Sequence, residues 1–356
     1  MIARYLKIER FFFWMLLFIP LSAGLHFFSD NRTLTFITSM LAIIPLARIL
    51  GYATQEISLQ SNPTIGGLVS ATFGNVIELF IAVLALREGL IRVVQASIVG
   101  SIIGNLLLLT GLSIFMGGLR YKQQQFNQQA AGVSSTMLII VVTGLSIPSV
   151  FAFANPDSPH TGLLSFAVAF VLAGIYIAGL VFSLLTHKDL FDASDEILAT
   201  RKKPFLTKRA AGVILFLTTL VVALESEFLV KGIQDAALDL GITQTFIGIV
   251  IIAIVTNIAE KTSAIRFALE NNLDLSIEIG TSSAIQIALF VVPILVFVSQ
   301  AFGYDFSLVF SMFEVIAIVL AVMIINYLSA DGVCNWLEGA QLMTVYFIIA
   351  IAFFFM

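Results

Sequence analysis

The sequence is poor in the residues on which most redox and metal-cofactor chemistry depends. It contains one cysteine, Cys334, and three widely separated histidines. A single cysteine excludes an internal disulfide bond and a Cys-x-x-Cys site, and the histidines form no His-Glu-x-x-His zinc motif. The sequence therefore predicts no cofactor, and it gives no support to an intramembrane enzyme.

Charged residues are also scarce. They make up 11% of the 356 residues, and hydrophobic residues make up 59%, whereas ordinary soluble domains are about 25% charged and about 45–50% apolar. A soluble fold of this length cannot hide so much apolar surface. The formal net charge of −4 supplies no basic patch for nucleic acid. The sequence predicts an integral membrane protein that contacts the lipid bilayer and no nucleic acid.

Long apolar runs predict an all-α polytopic fold with eleven transmembrane helices, because a bilayer helix needs roughly 17–25 residues. The runs are too long for the ~10-residue strands of an outer-membrane barrel. The first run follows a basic segment, as in a signal peptide, but no clear cleavage site follows it, which favours a retained helix. The predicted spans are 11–29, 33–53, 65–87, 91–117, 132–154, 162–187, 207–230, 244–269, 276–301, 307–328 and 336–356.

Basic residues cluster in the loops before span one, after span four and after span six. Short cytoplasmic loops are enriched in Lys and Arg, so the amino terminus is predicted to be cytoplasmic. The sequence shows no eukaryotic-looking extension or long regulatory tail, and a prokaryotic inner membrane is the expected location. The connector after span six begins acidic and ends basic. Such a charge run is typical of a solvated connector; the alternative is a cytoplasmic cation contact through Asp189, Asp192, Asp195 and Glu196.

Two polar motifs inside predicted spans occur twice. The stretch "GGLVSATFGNVIE" at 66–78 aligns with "GIVIIAIVTNIAE" at 248–260, and "GSIIGN" at 100–105 has a counterpart in "SSAIQ" at 282–286. This indicates an internal duplication. Five spans per copy is an odd number, so the copies enter the membrane from opposite sides, an arrangement typical of secondary transporters. The predicted organisation is an N-terminal helix at 1–32, a first repeat at 33–187, a connector at 188–206 and a second repeat at 207–356.

Each copy places an asparagine three residues before a glutamate, Asn75 and Glu78 in the first and Asn257 and Glu260 in the second. Residues three apart share a helix face, and a carboxylate at the bilayer centre costs about 2.5–3.5 kcal/mol even on lenient scales, which marks it as functional.

The glycines around these motifs permit either close helix contact or a broken turn that frees backbone carbonyls. Carboxylate, amide, hydroxyl and carbonyl oxygens form a ligand set that suits hard cations such as Ca²⁺. Protons can neutralise the same carboxylates, which predicts coupled exchange. The hydroxyls of Ser101, Ser283 and Thr256 are equally compatible with helix–helix hydrogen bonds.

The motifs "GNVIE" at 74–78, "ASIVGSIIGNLLLLTGLSIFMGGLRYKQQQFN" at 96–127, "SSAIQIALFVVPILVF" and "DGVCNWLEGAQL" resemble the calcium/proton antiporters of the cation/Ca²⁺ exchanger superfamily. The resemblance implies one helix plus two inverted five-helix repeats, and Ca²⁺ export driven by protons. It also implies that Glu78 and Glu260 are the essential carboxylates for metal and proton. The residues that join them are Asn75, Asn257, Asn105, Gln286, Ser101 and Ser283, and the acidic cytoplasmic segment of that family corresponds to 189–196.

The second copy departs from the pattern of that family. It reads Thr256-Asn257-Ile258-Ala259-Glu260-Lys261 where Gly-Asn-Ala-Ala-Glu-His is usual. A cation at Lys261 competes with Ca²⁺ unless its side chain faces elsewhere or extends to the interface. Three alternatives remain open: a Na⁺-driven exchanger, a Mn²⁺-preferring exchanger, and a cation channel with the glutamates as pore ligands. A homo-oligomer is compatible with each of them.

Overall fold

The computed structural model describes residues 11–187, 204–304 and 306–356. In these residues regular structure is helical apart from one two-stranded sheet. The amino-terminal elements are the helical segment Phe11–Phe28, which includes α1 (Phe18–Phe28), then α2 (Arg32–Leu59), α3 (Pro63–Phe73), α4 (Val76–Arg87), α5 (Ile91–Ile103), the π-helix Gly104–Leu109, α6 (Thr110–Gly118), β1 (Gln124–Gln125), α7 (Gln128–Ala154), α8 (Thr161–Val181) and the π-helix Phe182–Thr186.

The carboxy-terminal elements follow the connector. They are α9 (Lys208–Leu240), α10 (Gln244–Phe246), the π-helix Ile247–Ile252, α11 (Ala253–Thr256), α12 (Ile258–Leu269), α13 (Leu273–Gln286), the π-helix Ile287–Val291, α14 (Val292–Phe302), α15 (Met312–Leu328), β2 (Val333–Cys334) and α16 (Trp336–Phe354).

By length and apolar composition, nine helices in the described part of the chain can cross a membrane. The interrupted pair Gln244–Thr256 and Glu260–Leu269 adds a tenth if it counts as one span, and α15 is apolar but shorter. The predicted all-α polytopic class is therefore confirmed. The count of eleven stays a prediction.

The described residues form two compact units. The first comprises 11–94 and 204–259, and the second comprises 95–187, 260–304 and 306–356. Each unit takes helices from both predicted repeats, because α2 to α4 lie with α9 to α11, and α6 to α8 lie with α13 to α16. The duplication is thus a feature of the sequence, and it does not coincide with the compact units. The repeat boundaries themselves stay a prediction.

In the first unit, α9 packs along α2, and α1, α3 and α4 pack against this pair. Gly232 permits the close approach, since a Cβ there would lie 2.7 Å from the carbonyl oxygen of Arg32 and 2.8 Å from Phe36 Cβ. Small residues at helix contacts are the usual means of packing helices in lipid. The helix pair α2–α9 is the structural core of this unit.

The helix α9 is longer than predicted. It continues past residue 230 to Leu240, where Gly241 adopts φ +65° and ends it. The extra turns carry two aspartates that interact with side chains of α2. Arg32 Nη1 lies 3.7 Å from Asp235 Oδ2, and Thr33 Oγ1 donates to Asp239 Oδ2 at 2.5 Å. These polar contacts let the helix continue where the apolar pattern stops.

At the other end of α2, Glu56 is 2% exposed. Its Oε2 accepts hydrogen bonds from the backbone N–H groups of Phe205 (2.9 Å) and Leu206 (3.0 Å). Gln60 Nε2 donates to the Leu206 carbonyl at 2.9 Å. The end of α2 therefore fixes the chain just before α9 begins.

In the second unit, an extended buried segment precedes α15, so the prediction of a helix from residue 307 is wrong for its first turn. Ser311 begins α15 with a capping box to Glu314, which leaves residues 306–310 outside the helix. Side chains satisfy this backbone: Ser149 Oγ accepts from Phe310 N–H at 2.9 Å, Ser165 Oγ accepts from Leu308 N–H at 3.1 Å, and Gln95 Nε2 donates to the Val309 carbonyl at 2.7 Å. Irregular backbone in a membrane protein requires such partners.

A short antiparallel sheet, which the sequence did not predict, joins β1 to β2 with Gln124 opposite Cys334. It brings the loops before α7 and α16 together. Nearby, α16 packs on α6, where a Cβ on Gly339 would lie 2.6 Å from the Gly111 carbonyl. Glycine on both helices makes this contact close.

Candidate functional site

The first copy of the polar motif lies at a break between two half-helices. The helix α3 ends at Phe73 and α4 begins at Val76. Between them Asn75 adopts φ −110° and ψ 21°, near the sparsely populated bridge region, and it is 1% exposed. Asn75 holds the N-cap position of α4 without a capping bond from its side chain. By contrast, Asn62 at the start of α3 accepts from Ile65 N–H at 2.8 Å.

The second copy is broken at the equivalent asparagine. The helix α11 ends at Thr256, α12 begins at Ile258, and Asn257 adopts φ −91° and ψ 13°. It is also 1% exposed, and its Nδ2 donates to the Ala253 carbonyl at 3.0 Å and to Thr256 Oγ1 at 3.2 Å. Of the two alternatives that the sequence left open, the broken turn is the one observed in both copies.

Both glutamates lie in the first turn of the half-helix that follows the break, Glu78 in α4 and Glu260 in α12. The amino terminus of a helix carries the positive end of its dipole, which stabilises a carboxylate by about 0.3–1 kcal/mol at exposed sites and more in buried ones. The Oε2 atom of each glutamate is shielded from solvent. The same local design therefore occurs twice.

In the second unit, the structure brings two of the sequence-selected residues together. Asn105 Nδ2 donates to Ser283 Oγ at 2.8 Å, and both residues are buried. Gly280 allows this contact, because a Cβ there would lie 2.6 Å from Thr110 Oγ1 and 3.0 Å from the Asn105 carbonyl. The Thr110 hydroxyl also donates to that carbonyl at 3.0 Å.

A π-helix lies at the end of each copy of the second motif. The first, Gly104–Leu109, begins within the motif, and the second, Ile287–Val291, begins directly after it. The offset that aligns Glu78 with Glu260 also aligns the ends of these two π-helices. Single π-turns inside α-helices are uncommon and are often found at functional sites. Their occurrence at equivalent positions extends the duplication from sequence to backbone geometry.

The remaining residues considered in the sequence are two further polar residues of the second motif, the lysine beside Glu260, and the acidic residues of the connector. Ser101 is buried at 3% exposure, and Gln286 is half-buried. Lys261 is 8% exposed, so its side chain does not reach out to the surroundings as an interfacial lysine would. The acidic residues of the connector, Asp189, Asp192, Asp195 and Glu196, lie outside the described residues.

Within the described ranges no group of three or more His, Cys, Asp or Glu side chains lies close enough to hold a metal ion. A cation site built on these residues would therefore depend on amide, hydroxyl and backbone oxygens in addition to carboxylates. Such a ligand set suits Ca²⁺.

Glu225 is a buried carboxyl group that lies outside the motifs of the sequence. This residue is 1% exposed in α9, whereas Glu227, two residues along, is half-exposed and pairs with Lys231 Nζ at 2.7 Å. A signal was present in the sequence. Thr218, Val222, Glu225 and Leu229 recur at helical spacing, and this is the buried face of α9.

Broken helices with paired polar residues, repeated within an all-α polytopic chain, define the class of secondary transporters built from duplicated halves. The profile of the family described as "Sodium/calcium exchanger protein" matches residues 32–185 and 210–355. The chain belongs to this family.

Comparison with individual proteins gives the same assignment. The chain is 41% identical over 365 residues to a Ca²⁺/H⁺ antiporter of Synechocystis sp., with 98% of each chain covered. It is 40% identical over 338 residues to the Ca²⁺/H⁺ antiporter ChaA of Bacillus subtilis, covering 94% of this chain and 96% of that one. It also resembles the crystal structure of the selenium-substituted Ca²⁺/H⁺ antiporter protein YfkE, with TM-score 0.83, 38% identity and coverage of 98% and 100%. The resemblance inferred from the motifs is confirmed.

Proposed function

We propose that this chain exchanges Ca²⁺ for protons across a membrane as a secondary antiporter. The observation that carries the proposal is the duplicated break: each copy interrupts a helix at an asparagine and places a glutamate in the next turn. Relatives about 40% identical over nearly the full length are Ca²⁺/H⁺ antiporters, which supports the choice of Ca²⁺ and protons over other ions.

The cation site is assigned to Glu78 and Glu260, one from each copy. Asn75, Asn257, Asn105, Gln286, Ser101 and Ser283 complete the proposed set. The hydrogen bonds support oxygen ligation, since the amide nitrogens of Asn257 and Asn105 donate to protein groups. The amide oxygen is the atom through which an asparagine side chain would coordinate Ca²⁺.

Coupling follows from the electrostatics of the two carboxylates. Two anionic glutamates at one site in a low-dielectric medium repel each other and lose hydration. Either Ca²⁺ or protons remove that penalty, and binding of one disfavours the other. The site is therefore occupied by Ca²⁺ when its access changes from one face of the membrane to the other, and it is protonated when its access changes back.

The helix pair α2–α9 is the proposed moving element that exposes the site to alternate faces. Its members pack closely along their length, with Gly232 against the carbonyl of Arg32, so they are suited to move as one body. Lipid-embedded packing of this kind relies on shape complementarity. The proposed location is a bacterial inner membrane, which the bacterial antiporter relatives support. The loop charges favour an amino terminus in the cytoplasm.

The test is ⁴⁵Ca²⁺ flux into proteoliposomes under an imposed pH gradient, repeated with a Na⁺ gradient. We expect uptake driven by the pH gradient alone. The variants Glu78→Gln and Glu260→Gln should reduce it to the level of empty liposomes while they still elute as folded protein. Glu270→Gln, which removes the half-buried partner of Arg266 just after α12, is the matched control and should transport normally.

Other outcomes separate the alternatives. Normal transport by either glutamine variant contradicts the site assignment. Uptake driven only by Na⁺ assigns the chain to the Na⁺-driven exchangers, and Mn²⁺ that outcompetes Ca²⁺ assigns it to a Mn²⁺-preferring one. Flux without saturable counterflow indicates a channel.

A further inference from the structure

A further buried glutamate on a membrane-spanning helix is not among the residues assigned to the cation site. In the first unit α9 buries Glu225 at 1% exposure, and its Oε1 lies 2.7 Å from Ser22 Oγ of α1, a residue with 0% exposure. Ser39 of α2, also 0% exposed, lies near the same carboxyl group without a hydrogen bond to it. Glu225 thus joins α1, α2 and α9 at one buried polar point.

No cation neutralises this carboxyl group in the described residues. Among the described residues of the first unit, Arg32 pairs with Asp235 and Lys231 pairs with Glu227, and neither pair includes Glu225. An anionic carboxylate buried in a lipid-embedded helix without a counter-ion is costly, and such a group usually takes up a proton.

The titratable and charged groups on the packed helices are engaged elsewhere or make no contact with Glu225. His26 of α1 stacks on Phe228 at 4.1 Å, and Glu56 of α2 binds the backbone of Phe205 and Leu206. The remaining groups of this kind are Arg32, Arg48 and Tyr52 on α2, Glu78 and Arg87 on α4, and Lys208, Arg209, Glu227, Lys231, Asp235 and Asp239 on α9 itself.

The hydrogen bonds of Ser22 constrain where a proton is. Ser22 Oγ lies 2.8 Å from the Ile19 carbonyl as well as 2.7 Å from Glu225 Oε1. A hydroxyl has one proton and cannot form two full hydrogen bonds to two acceptors. Both contacts are satisfied together when the carboxyl group carries a proton and donates to Ser22, which in turn donates to Ile19.

We propose that Glu225 is a proton-binding site of this protein, separate from the cation site, in which the neutral acid donates to Ser22 and holds α1 against α9. Loss of the proton removes this donation and leaves an anion among buried hydroxyls, which weakens the contact between α1 and α9. Because α9 also packs on α4, the half-helix that carries Glu78, the protonation state of Glu225 is transmitted to the helix of the cation site.

The direct test is infrared spectroscopy of the reconstituted full chain, at the C=O stretch of protonated carboxylic acids. The difference between wild type and Glu225→Gln at neutral pH should contain one such band. The difference between wild type and Glu227→Gln, the half-exposed neighbour on the same helix, should lack it. A carboxylate band in place of the acid band, or no difference that depends on Glu225, overturns the proposal.

A second variant keeps the test decisive if Glu225→Gln does not fold. Ser22→Ala retains the acid and removes its hydrogen-bond acceptor, so the band should persist and move to higher frequency. An unmoved band overturns the donation to Ser22. In flux assays, we expect the rate of Ca²⁺ exchange by wild type to decline at alkaline pH as Glu225 loses its proton. In Glu225→Gln this decline in rate should be at least twofold smaller. A pH profile like that of wild type contradicts transmission to the cation site.

Discussion

At the scale of single residues, Lys261 is the position where the second motif departs from the pattern that the resemblance implies. Lys261 follows Glu260 directly and is 8% exposed. A buried ammonium group is strongly disfavoured unless it interacts with polar or charged groups, so this lysine is held within the protein. We therefore expect its charge to oppose a cation that binds at the proposed site on Glu260.

Replacing Lys261 with glutamine should strengthen Ca²⁺ binding. Removal of a like charge beside a cation ligand favours the bound cation, and each ~1.4 kcal/mol in binding free energy is a tenfold change in affinity. We expect the half-saturating Ca²⁺ concentration for ⁴⁵Ca²⁺ uptake to fall by about threefold to tenfold. Lys261→Arg keeps the charge and should leave it unchanged; an unchanged value in Lys261→Gln would show that the lysine is electrostatically remote from the cation.

At the scale of elements, the π-helices and the helices that face them set the geometry of the second unit. The π-turn at Gly104–Leu109 presents the Asn105 carbonyl to Thr110, and α13 approaches closely because position 280 is glycine. The contact positions Ser283 against Asn105. A change of helix separation at this point should therefore affect both stability and transport.

Gly280→Ala tests this contact. The new Cβ would lie 2.6 Å from Thr110 Oγ1, and overpacking of this kind typically costs about 1–3 kcal/mol. We expect a lower thermal unfolding midpoint in detergent together with reduced Ca²⁺ exchange. Gly174→Ala in α8, where nothing lies within 4 Å of the added Cβ, is the control and should be neutral or stabilising. Equal behaviour of the two variants would contradict the role of the close contact.

At the scale of the whole molecule, the compact units and the sequence repeats divide the chain differently. The first unit combines α2 to α4 with α9 to α11, although the duplication places these helices in different copies. Movement of a transporter occurs between bodies that are packed internally. The α2–α9 pair is therefore expected to move together, as the proposed mechanism requires.

A cross-link within this pair should preserve transport. Thr33 and Asp239 form a side-chain hydrogen bond of 2.5 Å between α2 and α9, and Cys334 is the sole native cysteine. In a Cys334→Ser background, we expect Thr33→Cys with Asp239→Cys to be joined by a short thiol cross-linker with Ca²⁺/H⁺ exchange retained. Loss of exchange that a reductant restores would mean that α2 and α9 must separate during the cycle.

The order of polar and apolar residues was sufficient to predict the membrane class, the helical fold and the duplication. Apolar runs of membrane-spanning length report burial in lipid directly, and a polar motif repeated at one spacing is visible without coordinates. The same reasoning selected Asn75, Glu78, Asn257 and Glu260, because an amide and a carboxylate inside an apolar run are costly.

Other features depend on contacts between segments distant in the chain, and only the tertiary structure decided them. The extension of α9 to Leu240 depends on Arg32 and Thr33 of α2. The extended segment before α15 depends on Ser149, Ser165 and Gln95. Composition cannot predict such pairs, because hydrogen bonds and ion pairs between helices are set by packing. For Glu225, the sequence alone predicts the helix face on which it lies. Its partner Ser22 lies on another helix, and only the tertiary structure identifies it.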